Sequence, residues 1–164
     1  MAQRAEHDLT GLAVVALAGG ERIGRIGDVI FQTSTGRITG FLIDTGGLFA
    51  KPRYLAAEHS QSLGADALTV PENDVLQDSA PETQDTIAAK NLSGRPVLNE
   101  SGAVLGKVMS YEVNDAEMTL ALVLTLGILD SAFHHKPLLP LTVVKAIGKD
   151  SLIVPDSYDP KEYR

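Results

Sequence analysis

The sequence predicts an all-β protein of two tandem small β-barrels joined by a short acidic linker of helical character, and three observations predict it. Short runs of strand-forming residues alternate with turn signals at regular intervals, the pattern of a small closed or half-closed barrel. Blocks from the first half return in the second half, in the same order and at nearly constant spacing. Apolar residues make up 44% of the 164, enough for a packed core, while aromatics are 5% and Trp is absent, so the core rests on Val, Leu, Ile and Ala.

The repeat is specific. Leu9-Thr10-Gly11 returns as Leu92-Ser93-Gly94, and Ile23-Gly24-Arg25-Ile26 as Leu105-Gly106-Lys107-Val108. The ten residues from Leu63 to Glu72 return from Ile147 to Asp156, each pairing a Gly–x–Asp turn with a Leu–x–Val strand and a closing proline. In the second block a strand needs a small residue where its backbone bends or is closely approached. In the third, a glycine at positive φ and an aspartate bonding nearby amides are expected to make a tight turn, and proline ends the ladder by removing a donor.

Taken in order, the first copy reads as strands over residues 12–18, 23–32, 38–44, 54–57 and 68–70. A Gly19-Gly20 hairpin, the turn 33–36 and a looser loop over 45–52 separate them. The second copy has a hairpin turn at 99–102, strands over 103–113 and 119–126, a loop over 127–137 and a strand over 138–141. Between the copies, from Glu72 to Asp85, lie five acids and no Lys or Arg. Ser79-Ala80-Pro81-Glu82 has capping-box spacing with a proline in the first turn, which predicts a short helix over 81–89. The domains are thus a polar tail 1–8, repeat 9–73, linker 74–90, repeat 91–156 and polar tail 157–164. The apolar stretch 120–129 covers about half of the ~20 residues a membrane span needs and reads as a buried strand.

The order of these blocks resembles the PRC-barrel family, over 9–72 and again over 92–156. That fold occurs in the cytoplasmic part of the photosynthetic reaction-centre H subunit and in the C-terminal half of a ribosome maturation factor. Gly36-Arg37-Ile38-Thr39-Gly40-Phe41-Leu42-Ile43 also carries the resemblance, and the second copy lacks the Gly-Arg before its third strand. The resemblance implies an all-β docking surface for proteins or protein–RNA complexes. A unit of about 65 residues buries only ~60% of the surface of its unfolded chain. The two barrels are therefore expected to pack together, or the protein to dimerise.

Charge and composition narrow the function. The formal net charge is −7, and the 14 basic residues are scattered, so direct duplex nucleic-acid binding is not expected and a basic protein partner fits better. No cysteine is present, which excludes disulfides and thiolate chemistry. No membrane span and no secretion signal are read, and a cytoplasmic location is expected.

Candidate chemistry is sparse. His134 and His135, with Asp130 nearby, are the best metal candidates, yet adjacent histidines on a strand point to opposite sides and need a distant third ligand. Glu58-His59 lacks a nearby nucleophile or second carboxylate. The glycines from Gly19 to Gly27 lack the Gly-Lys-Ser/Thr ending of a phosphate loop and read as bends and turns. Asp44 before Thr45-Gly46-Gly47 reads as turn chemistry. Two loops at equivalent places mix aromatics with charge: Phe49, Lys51, Arg53 and Tyr54 in one, Phe133, His134, His135 and Lys136 in the other. Phe49 and Phe133 either anchor a partner or plug the barrel mouths. The expected function is a non-enzymatic adaptor without cofactor that docks a partner through these loops. The alternatives are a small-ligand or metal-binding protein centred on His134 and His135, and a peripheral accessory subunit of a photosynthetic or ribosome-maturation complex.

Overall fold

The computed structural model describes residues 3–126 and 136–162. The first half contributes β1 (Gln3–Ala5), α1 (Glu6–Leu9), β2 (Ala13–Ala16), β3 (Arg22–Gln32), β4 (Ile38–Asp44), β5 (Arg53–Ala56), β6 (Ser62–Leu63) and β7 (Ala67–Val70). The second contributes β8 (Thr86–Ala88), β9 (Pro96–Asn99), β10 (Val104–Asn114), β11 (Thr119–Thr125), β12 (Leu138–Pro140), β13 (Ala146–Ile147) and β14 (Leu152–Val154). They form two seven-stranded sheets of matching topology, the two tandem barrel-like domains. One runs β5-β4-β3-β2-β7-β6 with β8 beside β3, the other β12-β11-β10-β9-β14-β13 with β1 beside β10.

The glycine of the Gly-basic block is required by close approach. A Cβ on Gly24 would lie 2.5 Å from Ile43 Cγ2 and 2.7 Å from the Asp44 carbonyl, and one on Gly106 would lie 2.7 Å from the Thr125 carbonyl. A few residues on, both long strands bulge at the same place, between Ile26 and Asp28 in β3 and between Val108 and Ser110 in β10. The Gly–x–Asp turns form as well, with Gly64 N–H donating to Ala67 O and Gly148 N–H to Ser151 O. Their glycines, however, are not at positive φ. The reason for glycine is tight packing of the turn, since a Cβ would stand 3.3 Å and 3.2 Å from those same carbonyls.

One expectation fails at the chain's connecting segments, and both polar tails are tied to the fold. Residues 81–89 are not a helix: Thr86–Ala88 is strand β8, and a 3-10 turn follows over Ala89–Leu92. The capping-box signal lost because this segment has no apolar helical face to bury, while β3 offers an open edge whose backbone groups need partners. In the N-terminal segment, read as a polar tail, β1 and α1 form and Arg4 holds Asp115 at 2.6 Å. The C-terminal segment is also tied down: Tyr158 is buried and its hydroxyl donates to Leu138 O at 2.9 Å.

The connecting segments cross between the repeats. β1 precedes the first repeat but pairs with β10 of the second, Gln3 opposite Asn114 and Ala5 opposite Glu112. β8 precedes the second repeat but pairs with β3 of the first, Thr86 opposite Gln32 and Ala88 opposite Ile30. Each repeat therefore completes the other's sheet. Midway, Arg37 faces Thr119 in an isolated antiparallel bridge, with Ile38 N–H donating to Met118 O and Leu120 N–H to Gly36 O. These two bonds exchange under the repeat, so a pseudo-two-fold axis passes between Arg37 and Thr119. One apolar cluster runs through the seam, from Leu9, Phe31 and Phe41 to Leu92, Tyr111 and Leu139. Barrel packs on barrel by strand exchange and a shared core.

Asp28 is the one buried charged residue among those described. Its carboxylate, at the β3 bulge, accepts from Val29 N–H at 2.8 Å and from Lys90 N–H at 3.2 Å, so it ties the first sheet to the 3-10 turn after β8. Burial raises its pKa, against the lowering effect of these two amides and the Lys90 charge. A raised native pKa means that the folded protein holds this proton more tightly than the unfolded chain. The group's contribution to stability is thus full below the unfolded pKa and lost as pH rises through the native one. Asp28→Asn keeps an acceptor and removes the buried charge, so it should stabilise the protein by about 1 kcal/mol at neutral pH. The gain, read from urea midpoints, should shrink as pH falls towards ~4.

Candidate functional site

The loop between β4 and β5 leaves the sheet in a turn that its own sequence builds. Asp44 Oδ1 accepts from Gly46 N–H at 2.9 Å, Gly46 takes φ +90°, and Ala50 N–H returns to Gly47 O at 3.1 Å. The turn chemistry expected of Asp44 is therefore present. Its effect is to raise Leu48 and Phe49 clear of the barrel, 90% and 92% exposed. Phe49 does not plug the barrel mouth.

The four residues read together from this loop separate in space. Phe49 and Lys51 are exposed. Arg53 is half-buried, donating to Leu76 O at 2.8 Å and lying 3.6 Å from Asp78. Tyr54 is a structural residue: it is 4% exposed, and its hydroxyl donates to Thr39 O at 3.0 Å. Its ring covers Gly40, where any Cβ would collide with it. Burial, and secondarily the Glu58 charge, raise its pKa. Of the second loop, Lys136 is exposed, while Asp130, Phe133, His134 and His135 lie outside the described residues.

Sequence reading missed two participants. Leu48 carried a signal, an apolar neighbour to Phe49 inside a glycine-bounded loop. Leu17 carried none, because it ends an ordinary strand pattern. It is 57% exposed in the β2–β3 hairpin. Val15 pairs with Arg22 and Arg25 with Asp44, so the hairpin and the β4–β5 loop leave the same end of the sheet. Three exposed apolar side chains and the cations Arg22, Arg25 and Lys51 thus share one end of the first barrel.

The other candidates resolve into structure. Glu58 and His59 sit exposed on a 3-10 turn, 3.9 Å apart. Gly20 turns the hairpin at φ +71°, Gly24 admits β4, and Gly27 lies in the bulge, so the glycine run makes turns and bends. Among the described residues no group of three or more His, Asp or Glu could hold a metal ion, and no helix is long and apolar enough to cross a membrane.

No curated protein matches the chain. The family model of the PRC-barrel domain matches it twice, over residues 1–77 and 84–159. These domains serve as protein-interaction modules and are generally non-catalytic. Both matches begin ahead of the exchanged strands β1 and β8, so the domain's own sequence includes the strand that it gives away. The chain belongs to the PRC-barrel domain family and carries the domain twice in tandem.

Proposed function

We propose that the protein is a non-enzymatic cytoplasmic adaptor that docks a partner protein through the loop end of its first barrel. Phe49 and Leu48 serve as apolar anchors, with Lys51 as their charged flank. The observation that carries this reading is the exposure of two adjacent large apolar side chains at a built loop tip. Burying a side chain such as Phe49 in a partner's pocket contributes roughly 1.5–3 kcal/mol, the scale of an interface anchor. The net charge of −7 suits a partner that is basic as a whole, while the exposed cations Arg22, Arg25 and Lys51 at this end call for an acidic rim where that partner meets the loop.

The test is affinity purification from native cells of wild type and of the double variant Leu48→Ser/Phe49→Ser. Wild type should retain one stoichiometric protein, and the variant should lose it at unchanged thermal stability, because neither side chain packs in the core. Retention of the same protein by the variant would reject this loop as the docking site.

A further inference from the structure

The near-symmetry of the two repeats breaks on one face, and the break is informative. In the first sheet, direct register places Ala88, Ile30, Gly40 and Ala56 in one row, with Asp28, Leu42 and Tyr54 in the next. The chain itself covers part of this face and leaves beside it a cavity of about 490 Å³ that Ile30, Tyr54, Ala56 and Ala80 line. Gln77 pairs with Tyr54 at the edge of β5, exchanging both backbone hydrogen bonds. The extended linker then lays Ala80 against Ile30, Tyr54 and Ala56, a small apolar cluster separate from the main core.

In the second sheet the same registers give Ala5, Glu112, Ala121 and Pro140, then Ser110, Val123 and Leu138. This face borders a cavity of about 770 Å³, to which Ala5, Ser110, Glu112, Val123 and Leu138 all contribute. That volume lies within the range of ligand sites, and the cavity lies at a domain interface, where such sites concentrate. Apart from Ala5, which matches Ala88, the floor differs from its counterpart throughout: Glu112 replaces Ile30, Ser110 replaces Asp28 and Leu138 replaces Tyr54.

Charges around the cavity are unevenly matched. Burial raises the pKa of Glu6 and of Asp28, and the nearby Lys90 charge offsets part of that rise in both. The Glu112 carboxylate has no hydrogen bond or ion pair among the described residues. On β12, Leu138 O already accepts from Tyr158, so an occupant gains more from lying across the face than from extending the sheet.

We propose that this face of the second repeat is a peptide groove that takes an extended segment of a basic partner protein, in the way the first repeat takes the chain's own linker. The segment sets a small apolar residue over Val123 and Leu138 and a Lys or Arg against Glu112. This groove is distinct from the Leu48–Phe49 loop and stands or falls separately.

Two synthetic nonapeptides test it on the full-length protein: the sequence of residues 77–85, and the same peptide with Glu82→Lys. Binding is followed by methyl chemical shifts and by anisotropy of labelled peptide. The lysine peptide should shift Ala5, Val123 and Leu138, and Glu112→Gln should weaken it about tenfold, the loss of one charge-assisted contact. Glu112→Ile, which puts the apolar residue of the first repeat at that position, should reverse the preference in favour of the unmodified peptide. Normal melting curves for both variants keep a folding defect out of the comparison. Absence of shifts at these residues at millimolar peptide, or an affinity indifferent to Glu112, would overturn the proposal.

Discussion

Cut between residues 83 and 84, the chain should yield two fragments that are each unfolded alone and that fold when mixed in equal amounts. The first fragment would keep β1 without β10 and leave β3 without β8; the second would leave β10 without β1. Each would also expose its half of the shared cluster, including Phe31 on one side and Tyr111 on the other. A unit of this size is marginal even with its core complete, and no disulfide supplements it. Mixing restores all of these contacts at the cost of a bimolecular association, which the intact chain avoids through an effective concentration of millimolar order. Circular dichroism and amide spectra of each fragment and of the mixture decide the matter. Fragments that melt alone as cooperatively and as late as the intact chain would show that the seam adds nothing.

Gly36→Ala should cost about 3 kcal/mol or more. Gly36 takes φ +78°, where an L side chain carries strain of roughly 1–2 kcal/mol. The added Cβ would also stand 2.6 Å from Leu120 O, in the stretch of backbone that bridges the repeats beside the pseudo-axis. Relief requires moving β11 away, which breaks the bond from Leu120 N–H to Gly36 O. The equivalent position in the second repeat is Met118, the one non-glycine at positive φ among the described residues, at φ 52°. Met118→Gly removes that strain and also a side chain that packs on the core, so the two effects offset to within about 1 kcal/mol. Urea unfolding of both variants reads the contrast. Equal and small losses would mean that the bridge contributes nothing to the union of the barrels.

Much of the fold was legible because local chemistry carries it. Gly24 and Gly106 mark close approaches that hold wherever the strand lies, and the Leu–x–Val strands alternate burial as their period requires. Asp44 with Gly46 makes its turn from neighbours in sequence. The candidate site was half legible: Phe49 and Tyr54 look alike in a loop rich in charge, but one ends fully exposed and the other buried over Gly40. Nothing in their immediate neighbours separates them. The difference arises because β5 begins at Arg53, which turns Tyr54 onto the sheet and leaves Phe49 beyond it.

The sequence by itself determined the duplication, the strands and their turns, and the PRC-barrel kinship, all of which rest on short-range periodicity and on residues with narrow backbone preferences. Only the tertiary structure decided that each repeat lends its leading strand to the other, that the linker lies extended on the first sheet, and that Asp28 is buried between them. Gln3–Ala5 and Thr86–Ala88 are three-residue segments with no pattern long enough to name a partner. Their pairing is set by which sheet edge is left with unpaired amides and carbonyls once both barrels have formed, a property of the assembled chain.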